Sequence, residues 1–443
     1  MKVNSQRIAA FNILRQFELT KMRLDIIEEK ELSKLSLTTH QHRHVKNLTS
    51  GVLRNLKLLD FYTQQLYKGN FLKLLDNVKI ILRMAFYELK FMPHIPGPAT
   101  VNEYVNMTRQ RVNEHTSKMT NAILRNFLRL KTELLPDAEK NPIKKLGIQY
   151  SFPEWLLERW VADWGVPFTE KLCASINHLP EFDVRVNGTK ITSEEFEVML
   201  SEDDIAYEKS ARFMDIYKIK KVSAILEKGY FEKGLCSIQD ESAAIPASLF
   251  TFNQNDIFLD LCAAPGGKFT QVLETAAALK MALAVDISVD RLKRIRQNLQ
   301  RLQLKGYLVA ADARFLPFKI QFTKILIDAP CSGQGVVSKH PDIKWRRTPE
   351  EIDEFSLLQK SILENASQFL CKNGQLVYST CSIDRRENEA VIDDILDQPH
   401  NSLRKIMLTG KDEISDTLQN GYIRTFPHLH TMDGSFASLL STK

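Results

Sequence analysis

The sequence predicts a multidomain chain that is all-α over residues 1–140, small α+β over 143–233, and a doubly wound α/β sheet over 234–443. Three observations carry that reading. Apolar residues recur at helical spacing through the first 135 positions; the run Ile257, Phe258, Leu259 leads through a glycine turn into a helical stripe; and three further apolar runs each close on an aspartate. At 443 residues the chain is also long for a single hydrophobic core.

In the first part the stripes are Ile8, Phe11, Leu14 and Phe17, then Val45, Leu48, Val52, Leu56 and Leu59, then Leu75, Val78, Leu82, Ala85 and Leu89. Steps of three and four residues put each set on one helix face, which needs a partner to cover it. The stretch Pro93-His94-Ile95-Pro96-Gly97-Pro98 interrupts the pattern, and 122–129 supplies a basic amphipathic helix. Residues 1–140 hold 23 Lys+Arg against 13 Asp+Glu, a net of +10, while the whole chain is +6, so the remainder is net −4. A basic helical unit beside an acidic one suggests a polyanionic partner.

Residues 135–142 are polar and bounded by prolines, as a linker would be. A helix should start at Phe152-Pro153-Glu154-Trp155, with Pro153 in its first turn. Phe182-Asp183-Val184-Arg185-Val186 ahead of Asn187-Gly188 reads as a strand entering a turn, and 192–200 as a short helix. Gln239 and Asp240 read as caps of a helix carrying 243–249.

The central stretch is Asp260-Leu261-Cys262-Ala263-Ala264-Pro265-Gly266-Gly267-Lys268, followed by the helical stripe Phe269, Val272, Leu273 and Ala276. In a strand–turn–helix unit of this kind glycines let a ligand approach the backbone, and the free N–H groups of the helix start face it. A phosphate-binding P-loop is excluded, because it needs Gly where Cys262 stands and Ser or Thr where Phe269 stands. The expected ligand contacts are Cys262, Ala263, Ala264, Pro265, Gly266, Gly267 and Lys268.

A second strand, 281–287, ends on Asp286; a third, 307–311, ends on Asp312; a fourth, 324–328, ends on Asp328-Ala329-Pro330-Cys331. In doubly wound sheets a carboxylate after the second strand holds ribose hydroxyls, and one after the third reaches an adenine edge. A fifth strand, 375–380, leads to Cys381. If these strands are parallel, Cys331 and Cys381 emerge at the ligand-bearing edge.

The glycine stretch, Asp328-Ala329-Pro330-Cys331-Ser332-Gly333, His340-Pro341-Asp342-Ile343-Lys344-Trp345-Arg346-Arg347 and Tyr378-Ser379-Thr380-Cys381-Ser382-Ile383 with Glu387-Asn388-Glu389 together resemble the motif set of the Sun/Nop family of RNA (cytosine-5)-methyltransferases. Val101-Asn102-Glu103 and the 122–129 helix resemble the NusB-like domain that heads the RsmB branch of that family. The resemblance implies a NusB-like all-α RNA-binding domain, an accessory subdomain, and a Rossmann-like catalytic domain that uses S-adenosylmethionine. It implies Asp286 and Asp312 as further cofactor contacts, Cys381 as the nucleophile, and Cys331 as the residue that resolves the adduct. Asp328 is placed either on ring N3 or on the methionine end of the cofactor. One departure is Asp433-Gly434-Ser435-Phe436, where the family commonly has Asp-Gly-Phe-Phe; it bears on packing or base context more than on reaction type.

Cytosine carbon 5 is too electron-poor to attack a methyl sulfonium until a nucleophile has added at carbon 6, and a cysteine thiolate is suited to that addition. The resemblance points to small-subunit (16S) ribosomal RNA as substrate, with Lys344, Trp345, Arg346 and Arg347 on its phosphates and bases; the alternative for these four is a capped helix approach with Trp345 in the core. Alternatives are a tRNA substrate, or an idle RNA-binding assembly factor with no use for either thiol. Six scattered cysteines without a C-x-x-C, and no histidine cluster at metal-ligand spacing, argue against a structural zinc and for a reducing cytoplasm. No apolar run approaches a membrane span. A cytoplasmic monomer is expected.

Overall fold

The computed structural model describes residues 5–130, 134, 141–276, 279–408 and 412–442. The chain forms two compact units, Met1–His178 with Val337–Arg347, and Leu179–Val336 with Thr348–Lys443.

The first unit is helical, as its periodicity predicts. Helices Ser5–Thr20, Thr39–Arg54 and Asp76–Phe91 bury Phe11, Phe17, Val45, Leu48, Val78 and Leu82 in one core. Leu75 departs from its expected stripe: it precedes the first turn of Asp76–Phe91 and is 56% exposed. Inside this core the Arg7 guanidinium donates to Glu88 through Nε (3.0 Å) and Nη2 (2.7 Å), and Tyr104 adds its hydroxyl at 2.8 Å. A charge buried there is tolerable because it is paired and hydrogen-bonded. The basic 122–129 segment is the second half of Glu114–Arg129, capped by the Asn113 side chain. Residues 135–140 of the expected linker lie outside the described residues; Asn141 caps the helix Pro142–Gln149. By compactness this helix, Glu154–Trp164 and Val166–Asn177 group with the helical unit.

The insert Val337–Arg347 corrects one expectation. Lys344 and Trp345 are not displayed to a nucleic acid. The Lys344 ammonium is 1% exposed and donates to Asn177 Oδ1 (2.6 Å) and to the carbonyls of Arg54 and Tyr150 (both 3.2 Å), over the Phe152 ring. Trp345 donates its indole N–H to the Leu53 carbonyl at 2.7 Å and packs on the helical core. Arg54 donates to the Ser338 carbonyl, and Arg346 is held by Asp342 at 2.7 Å. The physical reason is local: the end of Thr39–Arg54 leaves carbonyls that need donors, and this segment supplies them. Burial pushes the Lys344 ammonium well down from its ordinary value.

The second unit holds two sheets. An antiparallel one contains β1 (Phe182–Val186), β2 (Tyr207–Lys209), β3 (Ile216–Ile219) and β4 (Cys236–Ile238) in the order β2-β3-β1-β4. The helix Ser193–Glu202 covers it, started by a Thr192/Glu195 capping box. The nine-stranded sheet contains β5 (Ile257–Leu261), β6 (Met281–Asp286), β7 (Tyr307–Ala310), β8 (Phe322–Asp328), β9 (Leu370–Thr380), β10 (Leu403–Lys405), β11 (Leu418–Gln419), β12 (Tyr422–Thr425) and β13 (Ser435–Thr442). Its order is β11-β12-β13-β9-β8-β5-β6-β7, with β10 also paired to β13. Strands β5 to β9 run parallel and β13 antiparallel to β9. The order reverses between β5 and β8, which opens a crevice at the carboxyl ends of the strands.

Arg185 on β1, fully buried, ties the two sheets together. It donates to Gln239 Oε1 (2.7 Å) and Thr270 Oγ1 (3.3 Å) and pairs with Glu274 of the helix Gly267–Thr275. Gln239 is thus a bridge, reaching Gln271 as well, and Asp240 alone caps the following helix, Glu241–Ser248.

Lys344→Ala should lower the unfolding free energy by about 1 to 3 kcal/mol, the usual cost of stranding buried acceptors, as read by urea titration of the helical circular dichroism. Its salt dependence of RNA binding should match the wild type, because this ammonium neutralises no phosphate.

Candidate active site

The glycine loop leaves β5 through Cys262, whose φ is +59°. Ala263 N–H then donates to the Val285 carbonyl (3.0 Å), and Gly266 at φ +100° starts the helix Gly267–Thr275. Only glycine suits Gly266, since that φ is left-handed and a Cβ would meet Ile295 at 3.1 Å. At Gly267 the nearest atom to a Cβ would be Gln239 at 3.9 Å, so the protein leaves space above the helix start.

Asp286, at the end of β6, is 1% exposed and holds the loop from its other side. Its carboxylate accepts from Ala264 N–H (3.3 Å) and Ser288 N–H (3.0 Å), and Arg291 bridges it to the Ala264 carbonyl (3.3 and 2.7 Å). Asp286 and Asp312 line one cavity of about 220 Å³, with Cys262, Ile287, Pro330 and Leu358 among its walls. Pairing with Arg314 (2.6 Å) keeps the Asp312 carboxyl below its ordinary value. Apolar walls with carboxylates among them suit a nucleoside, whose ring is flat and whose ribose presents hydroxyls.

Farther along the edge, Lys268 commits its ammonium to Asp328 Oδ2 at 2.7 Å. Burial opposes the charge, but Asp328, with Cys381 and Asp260 near, outweighs it and raises the Lys268 value. Asp260 was not singled out by sequence as a contact, although an acid inside an apolar strand is itself a signal. It is fully buried, neither carboxylate oxygen has a hydrogen-bond partner, and burial with Asp328 and Asp286 nearby raises its carboxyl well above the ordinary range. Asp328, with 32% of its side chain exposed, offers a carboxylate to a cationic ligand end at this edge. The residues here therefore fit S-adenosylmethionine, which joins a nucleoside to an ammonium-bearing chain through a sulfonium.

The two thiols meet. β8 and β9 are paired with Asp328 opposite Ser379, and Ala329 N–H donates to the Ser379 carbonyl (2.8 Å), so both chains turn out of the sheet together. Cys331 and Cys381 sulfurs lie 3.3 Å apart, both half-buried. The hydrogen bond to Cys381, then burial, raises the Cys331 thiol well above its ordinary value, with Glu387 adding to it. Gly335 closes the arrangement: its N–H donates to the Cys381 carbonyl (2.9 Å), its carbonyl accepts from Gly434 N–H (3.0 Å), and a Cβ there would strike the Gly434 backbone. Ser435, where the family has an aromatic, is buried against Thr425 with hydroxyls 2.9 Å apart, so the exchange is absorbed by packing between β12 and β13. The residues that sequence reasoning left without a role are Asp260, Arg291, Ser332, Ser382, Glu387 and Asn388; all but Arg291 were visible, but only as parts of motifs.

A sheet with this order, a glycine loop, a carboxylate after β6 and paired thiols after β8 and β9 define an S-adenosylmethionine-dependent methyltransferase. The family model described as 16S rRNA methyltransferase RsmB/F matches residues 247–441, the NusB family model 4–129, and the ferredoxin-like domain model of RsmF/B-like methyltransferases 152–225. The chain is 31% identical to a probable ribosomal RNA small subunit methyltransferase B of Synechocystis sp., covering 98% of this chain and 99% of that one. It is 33% identical to ribosomal RNA small subunit methyltransferase B of Pasteurella multocida over 80% of this chain and 78% of that one. The crystal structure titled PH0851 superposes with a TM-score of 0.79 at 26% identity, covering 99% of each chain. The chain belongs to the RsmB/F family of 16S rRNA methyltransferases. Among the described residues no helix is long and apolar enough to cross a membrane, and no group of His, Cys, Asp or Glu is placed to hold a metal ion.

Asp286→Ala should weaken S-adenosylmethionine binding by about 1 to 3 kcal/mol, measured by calorimetry, since charged hydrogen-bond partners contribute on that scale. Unchanged affinity in a folded variant would remove Asp286 from the ribose.

Proposed function

We propose that this protein methylates carbon 5 of an unpaired or flipped-out cytosine in small-subunit (16S) ribosomal RNA, acting as a cytoplasmic monomer. The observation that carries the reading is the thiol pair: two cysteines from neighbouring strand ends, 3.3 Å apart, beside a cofactor-shaped crevice. A binding module has no use for such a pair. The target base must leave its stack, because carbon 6 is approached from the ring face.

Bound S-adenosylmethionine supplies an electrophilic methyl group. Cys381 adds through its sulfur to carbon 6, at the same sheet edge where Lys268 is held by Asp328. Cys331 holds its proton and sits in hydrogen-bond reach of Cys381, next to the place where that sulfur must later leave carbon 6. Asp328, held by Lys268, takes either ring N3 or the methionine end of the cofactor. The resemblance gives Ala263, Ala264, Pro265 and the two glycines as cofactor contacts, with Asp286 on the ribose and Asp312 by the adenine; of these, Asp286 and Asp312 line the cavity. Addition at carbon 6 makes carbon 5 nucleophilic, so that it would take the methyl group of the bound cofactor, whose S–CH3 bond breaks to leave S-adenosylhomocysteine; loss of the carbon 5 proton to a base and expulsion of the Cys381 sulfur then restore the aromatic ring.

The division of labour follows the charge split: 1–140 binds RNA, 143–233 is an accessory module facing it, and 234–443 performs the chemistry. Bisulfite sequencing of total RNA from a deletion strain identifies the target. A single cytosine in 16S rRNA losing its protection supports the reading, whereas loss in a tRNA redirects it.

Cys381→Ala should form neither adduct nor product, while Cys331→Ala should attack and then stall with RNA attached. Denaturing gels after incubation with RNA and S-adenosylmethionine show the stalled species as a shifted band. The reverse pattern would make Cys331 the nucleophile.

A further inference from the structure

Glu387 is fully buried behind the two thiols and faces neither the cofactor crevice nor solvent. Its Oε1 accepts from Ser332 N–H at 2.7 Å and from Gln359 Nε2 at 3.2 Å; its Oε2 accepts from the Ser332 and Ser382 hydroxyls, both at 2.5 Å. Ser332 directly follows Cys331, and Ser382 directly follows Cys381. The two hydroxyls are themselves 3.2 Å apart. Gln359 also donates to the carbonyl of Pro330, on the other side of Cys331, at 2.8 Å. One carboxylate thus holds the backbone of one cysteine loop and the side chains of both.

The surroundings fix Glu387 in turn. Its own carbonyl accepts from the Tyr378 hydroxyl at 2.6 Å, and Asn388 accepts from Thr380 Oγ1 (2.6 Å) and donates to the Ser382 carbonyl (2.9 Å). A buried acid serving only as filling would cost free energy that an apolar residue would not. Burial raises the Glu387 carboxyl, and the serine and glutamine donors offset part of that.

We propose that Glu387 is a positioning residue for the two-thiol reaction, clamping the Pro-Cys and Thr-Cys loops to one carboxylate so that the Cys331 and Cys381 sulfurs stay in register while the adduct forms and breaks. This inference rests on the roles given above to the two cysteines. Serine hydroxyls both donate and accept, so a glutamine at 387 can accept through its oxygen and donate through its amide to the same hydroxyls, whereas alanine releases both loops.

The test uses full-length protein and needs no activity in its first arm. Phenylarsine oxide binds two neighbouring thiols as a cyclic dithioarsenite with release of one water, so its affinity reads the thiol spacing. Wild type and Glu387→Gln should capture it equally, Glu387→Ala roughly tenfold less well as the effective concentration of one thiol at the other falls, and neither Cys331→Ala nor Cys381→Ala as a pair. In the second arm the adduct-forming rate is followed in a Cys331→Ala background. Adding Glu387→Ala should slow it by about a hundredfold, the scale for a misplaced reacting group, with the affinities for S-adenosylmethionine and RNA unchanged. Adding Glu387→Gln should restore the rate. A Glu387→Ala protein that captures the arsenical and forms adduct like its parent overturns the proposal. So does one whose cofactor affinity falls in step with capture, which marks a general structural role. Should Glu387→Ala fail to fold, the Ser332→Ala/Ser382→Ala double variant carries the same test, and undiminished capture by it overturns the clamp. Adduct in Cys381→Ala instead of Cys331→Ala overturns the cysteine roles, while the arsenical arm still reports on the clamp.

Discussion

The pairing of β8 with β9 is the constraint on which the site depends. These strands are far apart in sequence, yet their register sets Asp328 beside Ser379 and so fixes where both cysteine turns begin. A one-residue slip in a parallel pair would turn every side chain on the slipped strand to the other face. It would also carry Cys381 away from Cys331 by about 3.3 Å, the rise per strand residue. The buried neighbours Ile325, Ile327, Leu376 and Tyr378 prevent that slip, because their side chains fill the core only in the observed register. Packing some distance from the chemistry therefore determines a sulfur–sulfur distance.

Charges around the thiols are arranged unevenly, and the unevenness gives the two sulfurs different characters. Cys381 has the Lys268 ammonium in electrostatic reach, and Cys331 has the Glu387 carboxylate. Two cysteines in equivalent positions at adjacent strand ends are thereby made unequal by what lies behind each. Burial acts on Asp260 as well: with Asp328 and Asp286 near, it raises that carboxyl well above its ordinary range.

Much of this was legible in the sequence because it is encoded locally. Helical stripes, the glycine turn and the acids closing β6, β7 and β8 each depend on residues within a few positions, and the structure has them where spacing puts them. Both cysteines were visible as strand-end residues for the same reason. What was not legible depends on distant partners. Lys344-Trp345-Arg346 reads as a cationic, aromatic nucleic-acid motif, but carbonyls of Leu53, Arg54 and Tyr150 take up Lys344 and Trp345. Glu387 stood in a quoted motif with no role, since Ser332, 55 positions away, gives it one. The family resemblance named the nucleophile, and no spacing rule contains it.

The segment Val337–Arg347 has a consequence for how this protein can change over time. The chain passes between its compact units at 178/179, again at 336/337, and again at 347/348. A domain joined by one crossing can be lost, duplicated or exchanged as a cassette. Here, deleting the N-terminal helices would leave Trp345 and a buried lysine without the core that receives them, on a stretch of chain only a few residues beyond Cys331. Shuffling the helical module would therefore require rebuilding the catalytic sequence at the same step, and the two parts are bound to be inherited together.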